Sequence, residues 1–203
     1  MNTVSLVGVV HSEPVFEYEI EGIEVFSFLF ATERTSGTID YLPVCFPADI
    51  MDKVKKGDRI GIMGEWRSRN VEGHVLMYVW AKEIFASAFP DLNLLQVKEG
   101  YVCKEPVYRK TPLGREIADL LIAVNRPNGK SDYMPCVAWG RSAKYSERNL
   151  TVGDMVEFEG RLQSREYIKK LEDKEETRIA FEVSISNIKK IEKESEEYIC
   201  QTK

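Results

Sequence analysis

From Asp132 to Arg141 the chain reads DYMPCVAWGR, and this stretch decides the fold. Period-two alternation makes it a β-strand. Successive strand side chains point to opposite faces, so Tyr133, Pro135, Val137 and Trp139 share one face and Met134, Cys136 and Ala138 the other. The second set is small and apolar and suits a core. The first presents two flat rings about six residues, or roughly 20 Å, apart. Rings so placed can stack bases, or can be half-buried packing residues, so the rest of the chain has to decide between the two.

Sliding the sequence along itself shows that the strand has a counterpart. At an offset of 92, Asp40-Tyr41-Leu42-Pro43 falls on Asp132-Tyr133-Met134-Pro135, and Gly8, Gly22, Ala31 and Arg34 fall on Gly100, Gly114, Ala123 and Arg126. The offset grows to 96 at Gly64 and Ser68-Arg69, matching Gly160 and Ser164-Arg165, and to 104 at the last strand, where Val79 and Ile84 match Val183 and Ile188. Each repeat reads as the same string. Strands are expected near 2–13, 23–34, 39–46, 58–67 and 75–86, and again near 94–104, 116–126, 132–139, 154–163 and 178–190. A helix-compatible segment, 47–56 and 140–150, follows the third strand of each copy. Five strands with one short helix after the third describe an OB-fold. The expected fold class is therefore all-β, mainly β with one short helix per repeat, as two tandem five-stranded OB-fold barrels. The domains are 1–88 and 93–191, with a charged tail at 192–203. Phe26, Phe28 and Phe30 in one copy, and Ala118, Leu120, Ile122 and Val124 in the other, are the core face of the second strand.

Composition narrows the function. The chain has 203 residues, 43% of them hydrophobic and 30% charged, without an apolar run long enough to span a membrane or a basic, apolar leader. A cytoplasmic location is expected. Cys45, Cys103, Cys136 and Cys200 form no CxxC pair, and His11 and His74 are the only histidines, so no metal site, cofactor motif or catalytic constellation is recognisable. Gly129-Lys130-Ser131 ends like a phosphate loop, but Val124 stands where its first glycine must be. The protein is not expected to be an enzyme. The net charge of −5 is unevenly shared: residues 1–92 carry 8 basic against 14 acidic side chains, and residues 93–203 carry 20 against 19. An anionic ligand belongs to the second half.

There, RKTPLGREIADLLIAVNRP, DYMPCVAWGRSAKY and VGDMVEFEGRLQSREY follow in order. The three segments resemble the bacterial single-stranded DNA-binding protein family over nearly the whole repeat, through the Thr111-x-x-Gly114 turn, the strand end Ala123–Arg126 and the run Gly160–Tyr167. The first repeat resembles a diverged copy. The resemblance implies that bases stack on Tyr133, Trp139 and Tyr167. Stacking on an aromatic is worth about 1–3 kcal/mol per base and tolerates any sequence. Around these rings lie Arg109, Lys110 and Arg115, then Arg126 and Lys130, then Arg161, Arg165, Lys169 and Lys170. A basic groove with interleaved rings suits single strands, though each loop cation can also be a solvated surface charge. Trp66 has core parity on its strand and is read as packing.

The first repeat departs from this pattern. Tyr41 keeps the position of Tyr133, but Pro47 stands for Trp139 and Val71 for Tyr167, and Glu13, Glu17, Glu19, Glu21 and Glu24 crowd its first loop. Those carboxylates repel phosphate, leaving Tyr41, Arg34, Arg67 and Arg69 as the weaker DNA-binding candidates. Leu76, Tyr78 and Trp80 form an apolar outer row on its last strand and are interface candidates. The expected function is sequence-nonspecific binding of single-stranded DNA in replication, recombination or repair. By the resemblance, a two-barrel chain forms a homodimer with four OB-folds and serves replication or repair proteins, although its tail lacks the Gly/Pro/Gln-rich tether and hydrophobic end that recruit them. Two alternatives stay open: a primosome-like accessory module that mainly contacts proteins, and an RNA-binding OB protein.

Overall fold

The structure is a computed structural model and describes residues 2–71, 73–170 and 175–192. Among the described residues, twelve strands form one sheet in the order β2-β3-β4-β6-β5-β1-β7-β11-β12-β10-β9-β8. In the first repeat they are β1 (Asn2–Val10), β2 (Val15–Ile20), β3 (Ile23–Glu33), β4 (Ile39–Pro47), β5 (Arg59–Val71) and β6 (His74–Ala86). In the second they are β7 (Leu92–Val102), β8 (Val107–Lys110), β9 (Glu116–Asn125), β10 (Ser131–Trp139), β11 (Met155–Lys170) and β12 (Glu175–Lys190). An extra pairing of β1 with β3, and of β7 with β9, closes a ring in each half. The ring runs β1-β3-β4-β6-β5 in the first copy, its single parallel contact between β4 and β6, and β7-β9-β10-β12-β11 in the second, parallel between β10 and β12. That is the strand order of the OB-fold.

Each ring is filled as the alternation requires. Phe28, Phe30, Leu42, Val44 and Trp66 are buried in the first, and Ala118, Leu120, Ile122, Val124, Met134 and Cys136 in the second, while Phe26 packs half-buried against its core. No helix among the described residues is long and apolar enough to cross a membrane.

Three features differ from expectation. The first strand of each copy ends at Val10 or Val102, short of the expected 13 and 104, and a short strand that was not expected, β2 or β8, follows Pro14 or Pro106 and pairs with the next strand as the outermost member of the sheet. Next, β5–β6 and β11–β12 are longer than expected, reaching out of the barrel as hairpins to Val71 and Lys170. Of the two helix-compatible segments, only Arg141–Asn149 is an α-helix, α1; Ala48–Lys53 is a 3₁₀ helix with a non-helical residue at Ile50. The tail beyond Glu192 lies outside the described residues.

The barrels are joined along their first strands. β1 pairs antiparallel with β7 from Asn2↔Val97 to Val7↔Leu92, so the central sheet runs unbroken from one ring into the other. The connection between them, residues 87–91, is tied down by Arg59, which donates to the Phe89 carbonyl at 2.8 Å and pairs with Asp91, whose carboxylate also accepts from the Glu33 amide at 2.6 Å.

Candidate nucleic-acid interface

The outward face of β10 lies open at Tyr133, Pro135 and Trp139 as the alternation predicts, but is covered at Val137. Asp132, Met134, Cys136 and Ala138 are buried, while Tyr133 is 51% and Trp139 37% exposed. Trp139 closes the strand, and its indole N–H donates to the Ser184 hydroxyl at 3.1 Å on the parallel neighbour β12. One edge of the ring is thus fixed while a face stays accessible.

Trp139 stands in a groove of about 690 Å³ whose charged wall is mainly arginine. Arg109 reaches it from β8 and Arg115 from the β8–β9 turn, where Gly114 at φ +75° lets the chain reverse and the Thr111 hydroxyl accepts from the Arg115 amide at 3.1 Å. Arg161 and Arg165 come from β11, and Arg34 from the β3–β4 turn of the other barrel. Their neutralisation is partial. Arg109 pairs with Asp119 at 2.8 Å on an exposed surface, and Arg165 meets Glu182 at 3.5 Å, while Arg115 and Arg161 make no ion pair among the described residues. Arg161 donates to the Gln163 side-chain oxygen at 3.1 Å, and its Nε is buried without a partner among the described residues. Burial, and then the like charge of Arg34, push the Arg161 guanidinium below its ordinary value, with Asp40 acting against them. An anion in the groove would offset both by favouring the charged form.

Other expected residues stand outside this groove. Tyr133 lies at the far end of β10, where its amide donates to the Ser68 hydroxyl of the first barrel at 3.3 Å. Tyr167, 37% exposed, sits on the projecting β11 hairpin in a neighbouring cleft. Lys110 ends β8 and Lys130 lies in the β9–β10 turn, both exposed, and neither lines the groove. The side chains of Lys169 and Lys170 lie outside the described residues.

Arg126 and Arg34 have a different task from the expected phosphate contact. Arg126 donates through Nε to the buried Asp132 at 2.7 Å and through Nη2 to the Ser68 carbonyl of the first barrel at 2.8 Å. The Asp132 carboxylate accepts from the Ser68 amide at 2.6 Å. The pseudo-symmetric partner is complete: Arg34 is bidentate to buried Asp40 at 2.6 Å, and Asp40 accepts from the Ser164 amide of the second barrel at 2.8 Å. Each barrel therefore grips the projecting hairpin of the other through an Arg–Asp–Ser cluster. Asp40 and Asp132 are the residues that reading by motif missed. Their signal was present in the repeat, which aligns all six members of the two clusters.

On the first barrel the weaker candidates are engaged locally. Arg67 pairs with buried Glu65, which also holds Lys82. Arg69 lies over the Tyr18 ring, 4.0 Å from its centroid, and Tyr41 rests against His11 with ring centroids 4.5 Å apart. The expected outer row is present on β6, with Met77, Val79 and Ala81 buried, Tyr78 and Trp80 half-buried, and Leu76 exposed. Glu17, Glu19, Glu21 and Glu24 are exposed along the β2–β3 hairpin, and Glu13 just before it.

Residues 96–191 match the Single-strand binding protein family. A protein from Oceanobacillus iheyensis named "Single-stranded DNA-binding protein" is 36% identical over 74 residues, 34% of this chain and 46% of that protein. "Single-stranded DNA-binding protein A" of Bacillus subtilis is 35% identical over 74 residues, 34% and 43%. The matched region spans just under half the length of these relatives. Among solved structures, the wild-type single-stranded DNA binding protein of Thermus aquaticus superposes with a TM-score of 0.76, covering 95% of this chain and 94% of that one at 22% identity, which extends the likeness in fold to both barrels. The likeness to the single-strand binding protein family thus rests on the second barrel, and the first barrel shares the fold.

Proposed function

We propose that the protein binds single-stranded DNA without strong sequence preference, in replication, recombination or repair, with the second barrel as the main site. The observation that carries this is the pairing of an anchored, accessible indole at Trp139 with the unneutralised cations Arg115 and Arg161 in one groove. Tyr133 and Tyr167 extend the track as further stacking rings. Arg109 exchanges its exposed partner Asp119 for phosphate at little cost, because solvent-exposed ion pairs contribute only about 0–1 kcal/mol, while Arg165 is itself exposed and only loosely held by the buried Glu182 at 3.5 Å.

The test is a fluorescence titration with oligo-dT at two salt concentrations. Four phosphate contacts, made by Arg109, Arg115, Arg161 and Arg165, give a log–log salt slope of roughly −3 at about −0.7 per contact. Trp139→Ala should weaken binding by about 1–3 kcal/mol, and Tyr41→Ala should leave it near wild type. Binding that ignores salt would reject the reading. Competition by oligo-rU tests the RNA alternative, since stacking platforms distinguish the two sugars poorly.

A protein-contact role is also supported for the first barrel, by exposed Phe16, Ile20 and Ile23 interleaved with glutamates on the free edge at β2. Replication or repair proteins are the proposed partners there. We propose in addition a homodimer bringing four barrels together, through the outer face of the central sheet. Cross-strand pairing puts Phe85, Gly61, Val7 and Leu92 in one row, and Glu83, Met63, Ser5 and Leu94 in the next row of the same face, with the exposed Glu83 at its margin. Of these, Phe85, Leu92 and Met63 are exposed large hydrophobics.

A further inference from the structure

The first barrel has its own version of the groove, and its chemistry has changed. By the repeat offsets, Glu17 stands where Arg109 stands in the second barrel, Cys45 where Val137 stands, and Tyr78 where Glu182 stands, and all six line a cavity in their own copy. One arginine has become a glutamate and one glutamate a tyrosine. What was a basic groove is here an apolar cleft of about 520 Å³.

Its far wall does not belong to the first barrel. Tyr167, Ile179 and Phe181 of the second barrel's hairpin face Leu76 and Tyr78 across the cleft, and Arg165 and Glu182 line both the cleft and the groove around Trp139. The two cavities therefore adjoin at those two residues. A base laid against Tyr167 inside the cleft has the first barrel's Leu76 and Tyr78 opposite it. Burial raises the Tyr78 phenol to about 12, so the hydroxyl is neutral and sets no charge against a phosphate chain. The exposed glutamates of the β2–β3 hairpin begin at Glu17, which lines the cleft itself and bounds the route, so the phosphates leave on the side of Arg165.

We propose that this interbarrel cleft receives unstacked bases of the strand that lies over Trp139, with Leu76 and Tyr78 of the first barrel as its opposing wall. The inference rests on the single-stranded DNA reading above and deepens it. The barrel that lost its own basic face completes the site of its neighbour, and the Arg–Asp–Ser clusters fix the two walls at a set spacing.

The experiment is photo-crosslinking of the full chain with an oligo-dT carrying 5-iodouracil, read by mass spectrometry of tryptic peptides, alongside the salt titration of the same sample. Tyr78 lies in the peptide NVEGHVLMYVWAK, residues 70–82, well separated from the peptides of the second barrel. An adduct in that peptide is expected. Leu76 is 45% exposed, so Leu76→Asp places a carboxylate in the cleft without emptying a core. It should remove the adduct and weaken oligo-dT binding about ten-fold, the range of one lost stacking contact, with thermal unfolding unchanged. Salt-sensitive binding with adducts confined to Tyr133, Trp139 or Tyr167, or wild-type affinity in Leu76→Asp, overturns the cleft and leaves the single-strand reading standing. Absence of any salt-sensitive binding by the wild type overturns both.

Discussion

Trp139 and Arg161 divide the work of the groove between a ring and a charge. Stacking needs a face held still, and the bond from the indole to Ser184 holds it without using a face. Charge neutralisation needs a cation that has not already been paid off, and Arg161, half-buried beside Arg34, is one. Arg161→Gln should therefore make the salt slope less steep by about 0.7, one phosphate contact, while leaving the stacking-dependent quenching of Trp139 in place. A slope equal to wild type would mean that Arg161 is structural. The rings were legible in the sequence because β-strand alternation sorts faces without knowledge of the partner strands. Arg34 and Arg126 were not: each is a basic residue at a turn, and the carboxylate that occupies it also binds a serine in the other barrel, so nothing local distinguishes it from a phosphate contact.

Among elements, the hairpins and edges show where pattern reading succeeds and stops. β2 and β8 were hidden because Glu17, Glu19, Arg109 and Lys110 read as loop charges, yet a strand at the margin of a sheet tolerates charge and uses it to discourage further pairing. The outer reaches of β11 and β12 were hidden for the same reason, their charged residues being paired across the hairpin in a register that runs from Gly160↔Ile185 to Lys170↔Glu175. The bulge between Glu159 and Gly160 was marked in the sequence by a repeated glycine, and the structure gives its cause. A Cβ at Gly160 would overlap the Ser184 carbonyl, as one at Gly64 would overlap the Trp80 carbonyl. Because the obstacle is backbone, Gly160→Ala should destabilise by about 1–3 kcal/mol in chemical denaturation, as overpacking does. It should also weaken oligo-dT binding, since the strand that must shift carries the hydroxyl that anchors Trp139. Unchanged affinity in a destabilised Gly160→Ala would separate the bulge from the site.

The whole molecule is two barrels held as one body by a shared sheet and two reciprocal clusters. Asn2 exchanges hydrogen bonds with the Trp66 backbone, and Asn93 does the same with Leu162, so the start of the first strand is fixed alike in both copies. Removing one carboxylate of a cluster leaves a half-buried guanidinium and a serine amide unpaired. Asp132→Ala should accordingly lower stability by about 3 kcal/mol, near the lower end for breaking a buried pair, read as a fall in the denaturation midpoint. If the midpoint held, the clusters would be incidental to the joining of the barrels. The repeat foretold two barrels but not how they meet, because a sequence aligned on itself shows equivalence and not contact. The same logic extends to the proposed dimer. The rows through Phe85, Val7 and Leu92 and through Met63 and Leu94 lie on the face of the central sheet that points away from both cores, and apolar side chains collected there are stabilised by a second copy far more than by water. Met63 sits on that face and outside the groove and cleft, so Met63→Glu sets two carboxylates against each other across a two-fold axis without touching either. Light scattering should give twice the mass of one chain for the wild type and the mass of one chain for Met63→Glu. The variant should retain salt-sensitive binding to a short oligo-dT, because each chain carries a complete groove, and lose affinity only for oligonucleotides long enough to reach both copies.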